Sequence, residues 1–302
     1  MEYKLKKGNV EFAVLEKGAE LVSLKKDGVE FIWERNADFW GKSSPILFPF
    51  VGSLRDNKYK FEGKEYTIET RHGFGRDSEF TLADKGEDFL KFLLKATPDT
   101  LAKYPFNFEL YLTYKINNGK LDMIYEVINL DEKELYFSIG AHPAFATPIN
   151  EDIKLEDYYL ELNEKETADI FQNEGPLLKR EKKAYLNNEN IIKLGKDVFN
   201  DDALIFKGLK SNKVAIKCTK SSRVLEMEYD KFPFMAFWSV PNAPFVCLEP
   251  WYGLSDYSDT DGELINKEGI EKIKDKNITE TDLICQYPQK LDTNYLNKNT
   301  AL

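Results

Sequence analysis

The chain has only two histidines in 302 residues, and both lie in turns that contain glycine or proline and are flanked by aromatic residues. His72 lies in the segment ETRHGFGRDSEF (69–80), and His142 lies in SIGAHPAFATP (138–148). A third group of interest is Glu249 in FVCLEPWYG (245–253), which follows an apolar run and precedes a proline-aromatic turn. Imidazole and carboxyl groups are common acids and bases of enzymes, so these three residues could form an acid–base site.

Each of these residues also has a purely structural interpretation. A single histidine in a turn usually serves packing and pairs with a backbone carbonyl, and a glutamate before proline is often a solvated strand end. If Glu249 instead stands beside aromatic rings, loss of water would raise its pKa and make it a better base near neutral pH. The residues alone leave acid–base chemistry and packing both open, and they define no reaction.

The elements that must position these groups are mostly β-strands. Alternating apolar runs surround four short turns, which predict antiparallel hairpins around Asp27-Gly28, Glu62-Gly63, Asn118-Gly119 and Ser221-Ser222. Alternation also predicts that one face of the hairpin at 110–130 is buried, with the inward side chains Leu112, Tyr114, Ile116, Leu121, Met123, Tyr125 and Val127. We therefore expect an all-β fold, a large antiparallel β-sandwich with few short helices.

Helices and domain boundaries leave weaker signals. Residues 97–106 predict one helical turn, capped by Thr97 before a proline, and residues 267–274 predict another short helix. No repeat, linker or change of composition divides the chain, so residues 1–286 are predicted to form a single domain. Residues 287–302 are polar, rich in amides and without alternation, which predicts a loose C-terminal tail.

Charge and hydrophobicity restrict the partners. The chain has 52 acidic against 42 basic residues and a net charge of −10, which disfavours nucleic acid and anionic membrane surfaces. No apolar run approaches the roughly 18 residues of a membrane-spanning helix, and the N-terminal segment has no apolar run of leader-peptide length. We expect a cytoplasmic protein whose partner is a small molecule; the sequence leaves a monomer and a homodimer both open.

Sequence motifs give no support for a cofactor or a metal. The nucleotide motifs G-x-G-x-x-G and G-x-x-x-x-G-K-[ST] and the zinc motif H-E-x-x-H do not occur. The three cysteines, Cys218, Cys247 and Cys285, lack zinc-site spacing and are interpreted as buried small apolar residues. Aromatic residues gather beside glycine and proline turns, as expected for the walls of a sugar-sized pocket.

An ordered set of segments resembles the aldose 1-epimerase (galactose mutarotase-like) superfamily, and especially its LacX-type branch. The segments are LFPFVGSLRDNKYKFEGKEY, HGFGRDSEF, YPFNFELYLTYKINNGKLDMIYEVINL, FSIGAHPAF, DDALIF and PFVCLEPWYGLSD, and the resemblance covers about residues 1–285. It implies a β-supersandwich and a cofactor-free isomerase that interconverts the α and β anomers of an aldohexose.

The resemblance also implies roles for individual residues. His142 would be the general acid at the ring oxygen, and Glu249 the base on the anomeric hydroxyl. His72 would hydrogen-bond the sugar and help to polarise the ring oxygen, while Arg55 and Asp202 would bind hydroxyl groups. Opening a sugar ring requires removal of one proton and delivery of another, so a carboxylate and an imidazolium on opposite sides of one C–O bond suit that reaction.

Two alternatives to a free-sugar epimerase stay open at this point. The form H-G-F-x-R also occurs in the hexose-6-phosphate epimerase branch, where arginines bind phosphate, and Arg55, Arg71 and Arg76 could make such a clamp. We favour a free sugar because the acidic Asp77 and Glu79 flank the cluster and could neutralise it. The other alternative is a carbohydrate-binding or sensor protein without turnover.

Overall fold

The computed structural model of the chain describes residues 1–274 and 278–286. Its regular structure is almost entirely antiparallel β-strand, which confirms the predicted fold class. No helix in the described part is both long and apolar enough to span a membrane. The predicted tail at 287–302 lies outside the described residues, so the tail and the domain boundary at 286 stay predictions.

The strands are numbered in chain order. The first eleven are β1 (Glu2–Lys7), β2 (Val10–Leu15), β3 (Leu21–Lys26), β4 (Val29–Glu30), β5 (Ile46–Leu47), β6 (Lys58–Phe61), β7 (Lys64–Thr67), β8 (Thr81–Lys85), β9 (Phe89–Lys95), β10 (Phe108–Asn117) and β11 (Lys120–Asn129). The next twelve are β12 (Leu135–Phe137), β13 (Ile139–Ala141), β14 (Ala144–Ala146), β15 (Tyr158–Glu174), β16 (Leu177–Lys193), β17 (Leu204–Lys207), β18 (Lys213–Cys218), β19 (Ser221–Glu228), β20 (Phe234–Trp238), β21 (Phe245–Tyr252), β22 (Glu271–Ile273) and β23 (Ile278–Gln286).

Helical structure in the described residues is confined to short pieces. They are α1 (Pro98–Lys103) and four 3-10 turns, Arg55–Asn57, Gly75–Asp77, Leu155–Asp157 and Leu264–Asn266. The predicted helix start at Thr97 is confirmed: its side chain accepts a hydrogen bond from the backbone N–H of Thr100, and the Thr100 hydroxyl pairs with the backbone N–H of Thr97.

One wide sheet dominates the molecule. Its strand order is β5-β13-β21-β20-β17-β15-β18-β19-β23-β11-β10-β9-β8, with β14 added beside β21 and β16 beside β15. A sheet of fifteen strands cannot stay flat, and this one curls around its own apolar face. The smaller sheet β1-β2-β3-β4 packs on this face, where the Tyr3 and Phe92 rings meet at 5.6 Å and the Phe12 and Tyr114 rings at 6.1 Å.

The central hairpin follows its predicted pattern. All seven side chains that were expected to face inward on β10 and β11 are buried. The two strands join through Asn118 and Gly119, whose φ angles of 50° and 74° are those of a two-residue turn that matches the twist of the strands. The hairpins around Asp27-Gly28 and Glu62-Gly63 are also confirmed.

The fourth predicted turn is wrong by two residues. Cys218 pairs with Ser221, so the turn lies at Thr219 and Lys220, and the serines belong to β19. The turn residues have partners outside the hairpin: the Thr219 N–H donates to the Asp157 carbonyl, and the Lys220 ammonium lies 3.0 Å from the Asp157 carboxylate. These contacts fix the register and could not be read from the local sequence.

The predicted helix at 267–274 is also wrong. Gly269 has a φ of 74°, which interrupts helical geometry, and Glu271–Ile273 form β22. This strand pairs with β12, with Ile273 opposite Leu135, and Ile273 is buried. A tertiary strand pairing has overridden the local helical pattern.

Candidate active site

A cavity of about 350 Å³ contains six of the seven predicted site residues. Four elements meet there: strand β21, the break between β13 and β14, the loop at 71–76 and the loop at 202–203. The cavity is lined by Trp40, Arg71, His72, Arg76, His142, Asp202, Ala203, Trp238, Val240, Glu249 and Trp251. The two histidines, 70 positions apart in the sequence, therefore belong to one site, and their rings meet edge to face at 5.6 Å.

His142 and Glu249 are neighbours across two adjacent strands. Strands β13 and β14 both pair with β21, in the register Gly140 opposite Trp251 and Ala144 opposite Cys247. Continued through the break, this register places His142 opposite Glu249. The His142 Nε2 atom lies 3.3 Å from the Glu249 Oε2 atom, in an orientation that does not make a regular hydrogen bond.

Burial controls the protonation of this pair. Burial raises the pKa of Glu249 well above its usual value, and the nearby Arg71 offsets the rise only in part. Burial, with the charges of Arg71 and Arg76, lowers the pKa of His142 to about 3. Both shifts favour the uncharged form of each group, which is a protonated carboxyl beside a neutral imidazole.

His72 is held as a neutral hydrogen-bond donor. The backbone N–H of Gly52 donates to His72 Nδ1 at 3.0 Å, and because an N–H cannot accept, the ring proton must sit on Nε2. Burial, then the charges of Arg71, His142 and Arg76, lower its pKa well below the usual value. The ring therefore keeps an Nε2–H group to offer to a molecule in the cavity.

The loop that carries His72 is closely packed and conformationally strained. His72 has a φ of 68°, which is unusual for a residue other than glycine, and Gly73 follows with a φ of 70°. A Cβ atom on Gly73 would lie 2.3 Å from the Phe48 carbonyl oxygen. The backbone N–H of His72 donates to the Gly52 carbonyl at 2.7 Å, and the Phe48 N–H donates to the His72 carbonyl at 3.2 Å.

A buried ion pair supports the segment that holds His72. The Lys267 ammonium lies 2.6 Å from the Asp256 carboxylate, and both side chains are almost fully buried. The second oxygen of Asp256 accepts the backbone N–H of Arg55, while a Cβ atom on Gly52 would overlap Ser255. The segment 52–55 is thus tied to 255–256, and it delivers the Gly52 N–H that orients His72.

Arg71, Asp202 and Arg76 form the polar wall of the cavity. An Arg71 Nη atom lies 3.2 Å from an Asp202 carboxylate oxygen, and both side chains reach solvent. Asp202 stands just before β17 with a φ of 74°, and its other oxygen accepts the Ala203 N–H. Arg76 Nε is 3.6 Å from Asp77, too far for a hydrogen bond, so its positive charge is only partly neutralised.

Arg55 is the one predicted site residue that does not reach the cavity. Its side chain is exposed, with Nη1 3.5 Å from the Ser258 carbonyl and Nε 3.9 Å from the Asp56 carboxylate. The positive charges that line the cavity are those of Arg71 and Arg76.

Aromatic rings complete the walls. Trp40 stacks on the His142 ring with centroids 4.9 Å apart, and Trp238 meets the same ring edge to face at 5.5 Å. Trp238 and Trp251 lie in the aromatic clusters that predicted a pocket. Sequence reasoning missed Trp40, because the segment DFWG has no chemical group that distinguishes it from a packed turn.

Four polar atoms on these walls are buried and make no hydrogen bond of regular geometry within the described residues: Arg76 Nε, His142 Nδ1, Glu249 Oε2 and Trp251 Nε1. Each such atom costs roughly 1–3 kcal/mol when it has lost water and gained no partner. Their convergence on one cavity indicates a ligand that carries both donors and acceptors, as a sugar does.

A buried thiol, that of Cys247, lies close to the catalytic pair but does not line the cavity. Ligand atoms of His142, Cys247 and Glu249 lie within 4.8 Å of one another, a set that could hold a metal ion. Burial and the neighbouring Glu249 raise the pKa of Cys247 well above its usual value. A metal would have to displace protons from both the thiol and the carboxyl group beside two arginines, so these donors fit a cation poorly.

The fold is that of the galactose mutarotase-like proteins. The galactose mutarotase related enzyme from Lactobacillus acidophilus superimposes with a TM-score of 0.92 at 30% identity, over 97% of this chain and 99% of that one. A galactose mutarotase-like protein from Lactobacillus casei ATCC 334 gives a TM-score of 0.88 at 26% identity, over 95% of this chain and 100% of that one. Sequence comparison defines the relationship more closely.

Residues 1–270 match the aldose 1-epimerase family, and the chain belongs to that family. It is an isomerase of the aldose 1-epimerase type. The plasmid form of protein LacX from Lactococcus lactis subsp. lactis is 36% identical over 274 residues, which cover 87% of this chain and 91% of LacX. The resemblance predicted from the motifs, including the LacX-type branch, is confirmed.

The loop around His72 can be tested with a pair of glycine substitutions. Gly73→Ala and Gly63→Ala both put a side chain at a φ near 70°, which costs about 1–2 kcal/mol, but Gly63 has no atom within 4 Å of its Cβ position. We expect Gly73→Ala to lower the free energy of unfolding in urea by about 1–3 kcal/mol more than Gly63→Ala, because of the clash with Phe48. Equal losses would contradict the close packing.

The raised pKa of Glu249 makes a pH-dependent prediction. An unfolded glutamate ionises near pH 4.3, whereas folded Glu249 keeps its proton to higher pH, so its contribution to stability falls as pH rises through that window. Glu249→Gln removes this loss. Above pH 4.3, the free energy of unfolding of Glu249→Gln should therefore rise relative to that of the wild type. The difference should grow by up to about 1.4 kcal/mol per pH unit.

The matched control for this measurement is Glu87→Gln, which removes a carboxylate from an exposed turn. Denaturant unfolding of the three proteins between about pH 4 and 8 gives the comparison. A difference between Glu249→Gln and the wild type that stays constant with pH would mean that Glu249 ionises as an ordinary carboxyl group.

Proposed function

We propose that the chain interconverts the α and β anomers of a free aldohexose. In this proposal Glu249 removes the proton from the anomeric hydroxyl, and His142 donates a proton to the ring oxygen. The C1–O5 bond breaks as the C1–O1 bond becomes a carbonyl. Rotation about C1–C2 and closure on the other face, with the two groups in exchanged roles, give the other anomer. Atoms and electrons balance without a cofactor.

The protonation of the pair is compatible with this reaction. The pKa shifts favour a protonated Glu249 beside a neutral His142, and transfer of the carboxyl proton to the imidazole would give a carboxylate and an imidazolium close together. These two species are the base and the acid that ring opening needs. Because each step consumes one proton and returns one, the pair is restored after every turnover.

The observation that carries the proposal is the convergence of unpaired buried polar atoms on the cavity of the His–Glu pair. Hydroxyl groups both donate and accept, so a hexose could pair with an arginine N–H, an indole N–H and a carboxyl oxygen at once. His72 Nε2–H would add a donor near the ring oxygen. In this arrangement Asp202 and Arg71 bind hydroxyls farther from C1, at the solvent-exposed side.

A hexose 6-phosphate is the second candidate. The observation in its favour is that Arg71 and Arg76 both line the cavity, and Arg76 keeps an unpaired Nε–H. Against it, Asp202 already pairs with Arg71, and Asp77 lies near Arg76. A phosphate would have to compete with both carboxylates, whereas a neutral hexose would not.

NMR exchange measurements of mutarotation can test both candidates, with glucose, galactose and their 6-phosphates as substrates. We expect the wild type to accelerate exchange of a free sugar. His142→Asn should lower kcat by about 10²- to 10⁴-fold while sugar binding persists, because general acid catalysis is lost and the cavity stays.

Arg76→Met and Arg55→Met form a matched pair for the second candidate, since only Arg76 lines the cavity. Acceleration confined to a 6-phosphate and abolished by Arg76→Met alone would replace the free-sugar proposal with the phosphosugar one. Binding of a sugar by the wild type and by His142→Asn, with no acceleration by either, would contradict a catalytic role for the pair and favour a sensor.

A further inference from the structure

A second, larger depression adjoins the active-site cavity. It has a volume of about 1020 Å³, and two residues, Asp202 and Ala203, line both spaces. We call it the hairpin groove, because residues of β15 and β16 and of the segment 195–204 form its walls. A single hexose fits within the smaller cavity, so the hairpin groove offers room that a monosaccharide does not use.

The two spaces lie in a defined order from the reacting groups outward. Glu249 and His142 are the floor, with side-chain exposures of 1% and 9%, whereas Asp202 and Arg71 are 27% and 40% exposed and form the rim. If the anomeric carbon of a sugar reacts at the floor, the opposite end of the sugar ring lies at the rim. The hairpin groove begins at Asp202, beside that end.

An irregularity in the hairpin shapes the groove wall. On β15, Phe171 pairs with Lys182 and Asn173 pairs with Leu178, so the register shifts between them and Gln172 is left outside the ladder. Such bulges turn side chains away from the regular alternation of a strand. Gln172 and Lys179 from this irregular stretch both line the groove.

The groove carries the groups that bind neutral sugars. Three amide side chains and the half-buried Tyr185 ring line it, the amides being Gln172, Asn173 and Asn200. Its charges balance, because the lysines Lys179, Lys183 and Lys196 stand against the acids Glu156, Asp197 and Asp201, and the fourth acid, Asp202, is paired with Arg71. Balanced charge with several amides suits a neutral polyhydroxylated ligand better than an anion.

We propose that the hairpin groove binds the second sugar unit of a reducing disaccharide or longer saccharide, whose reducing-end ring enters the active-site cavity. This inference rests on the proposed mutarotation and names its substrate class. The second unit would be attached to a hydroxyl of the reducing ring that is remote from C1, where the rim opens into the groove.

Gly195 offers a substitution that fills the groove without strain. It lines the groove and not the active-site cavity, its φ lies outside the left-handed region, and its Cβ position has only Glu156 Cγ nearby, at 3.9 Å. Gly195→Trp should therefore obstruct the second sugar alone. Lys193→Trp is the matched control, because Lys193 is an exposed residue of β16 that lines neither space.

The test compares kcat/KM for mutarotation of glucose and galactose with that of maltose, cellobiose, lactose and melibiose. We expect the wild type to prefer at least one disaccharide by about tenfold, an advantage that interactions worth roughly 1.4 kcal/mol would provide. Gly195→Trp should remove that preference and leave the monosaccharide rate within twofold, while Lys193→Trp changes neither. Gln172→Ala, a small change in the same wall, should weaken the preference if Gly195→Trp does not fold.

Three results would overturn the inference. The first is that every disaccharide reacts no faster than the monosaccharides, and the second is that Gly195→Trp loses monosaccharide and disaccharide activity equally. The third is that the wild type prefers a hexose 6-phosphate and that Gly195→Trp abolishes this preference. If no sugar mutarotates, the proposed function is wrong. The groove is then tested separately, by measuring the affinity of the protein for sugars. Tighter binding of a disaccharide than of its reducing sugar, lost in Gly195→Trp, would still support the groove, and equal binding would contradict it.

Discussion

The site depends on an imidazole and a carboxyl group that face each other on adjacent strands with almost no access to water. Burial of either charge alone would be unfavourable, and the shifted pKa values let both groups be buried in their uncharged forms. The sheet brings the two groups together because β13 and β14 pair with β21 on either side of His142. The break between these two strands places His142 opposite Glu249. Trp40 and Trp238 then hold the imidazole from two sides.

The surrounding structure maintains unfavourable local conformations in order to build the site. His72 and Asp202 both have positive φ angles, and four cavity atoms are buried without partners in the described part of the protein. The cost is offset elsewhere, by the continuous core between the sheets and by the buried Lys267–Asp256 pair that holds the segment 52–55. Such a site is less stable without its ligand than an apolar core would be, which is typical of active sites.

Much of this arrangement could be predicted from the sequence, but not all. Alternation on β10 and β11 and the Asn118-Gly119 turn have local causes, so local patterns were sufficient for them. Motif resemblance brought together His72, His142 and Glu249, whose contact depends on a strand register that no local pattern contains. The resemblance also pointed to Arg55, which lies outside the cavity with its side chain towards solvent. The local helical pattern at 267–274 was overridden because β22 pairs with β12.

The most direct measurement is ¹⁵N NMR of the protein labelled at its histidine rings, since His72 and His142 are the only two and a His142→Asn variant assigns them. Burial lowers the pKa of both histidines, and Gly52 fixes the tautomer of His72, so we predict two neutral rings at pH 7, with His72 protonated on Nε2 and no titration near pH 6.5 for either ring. Titration of the His142 ring near pH 6.5, or a His72 ring with its proton on Nδ1, would contradict the account.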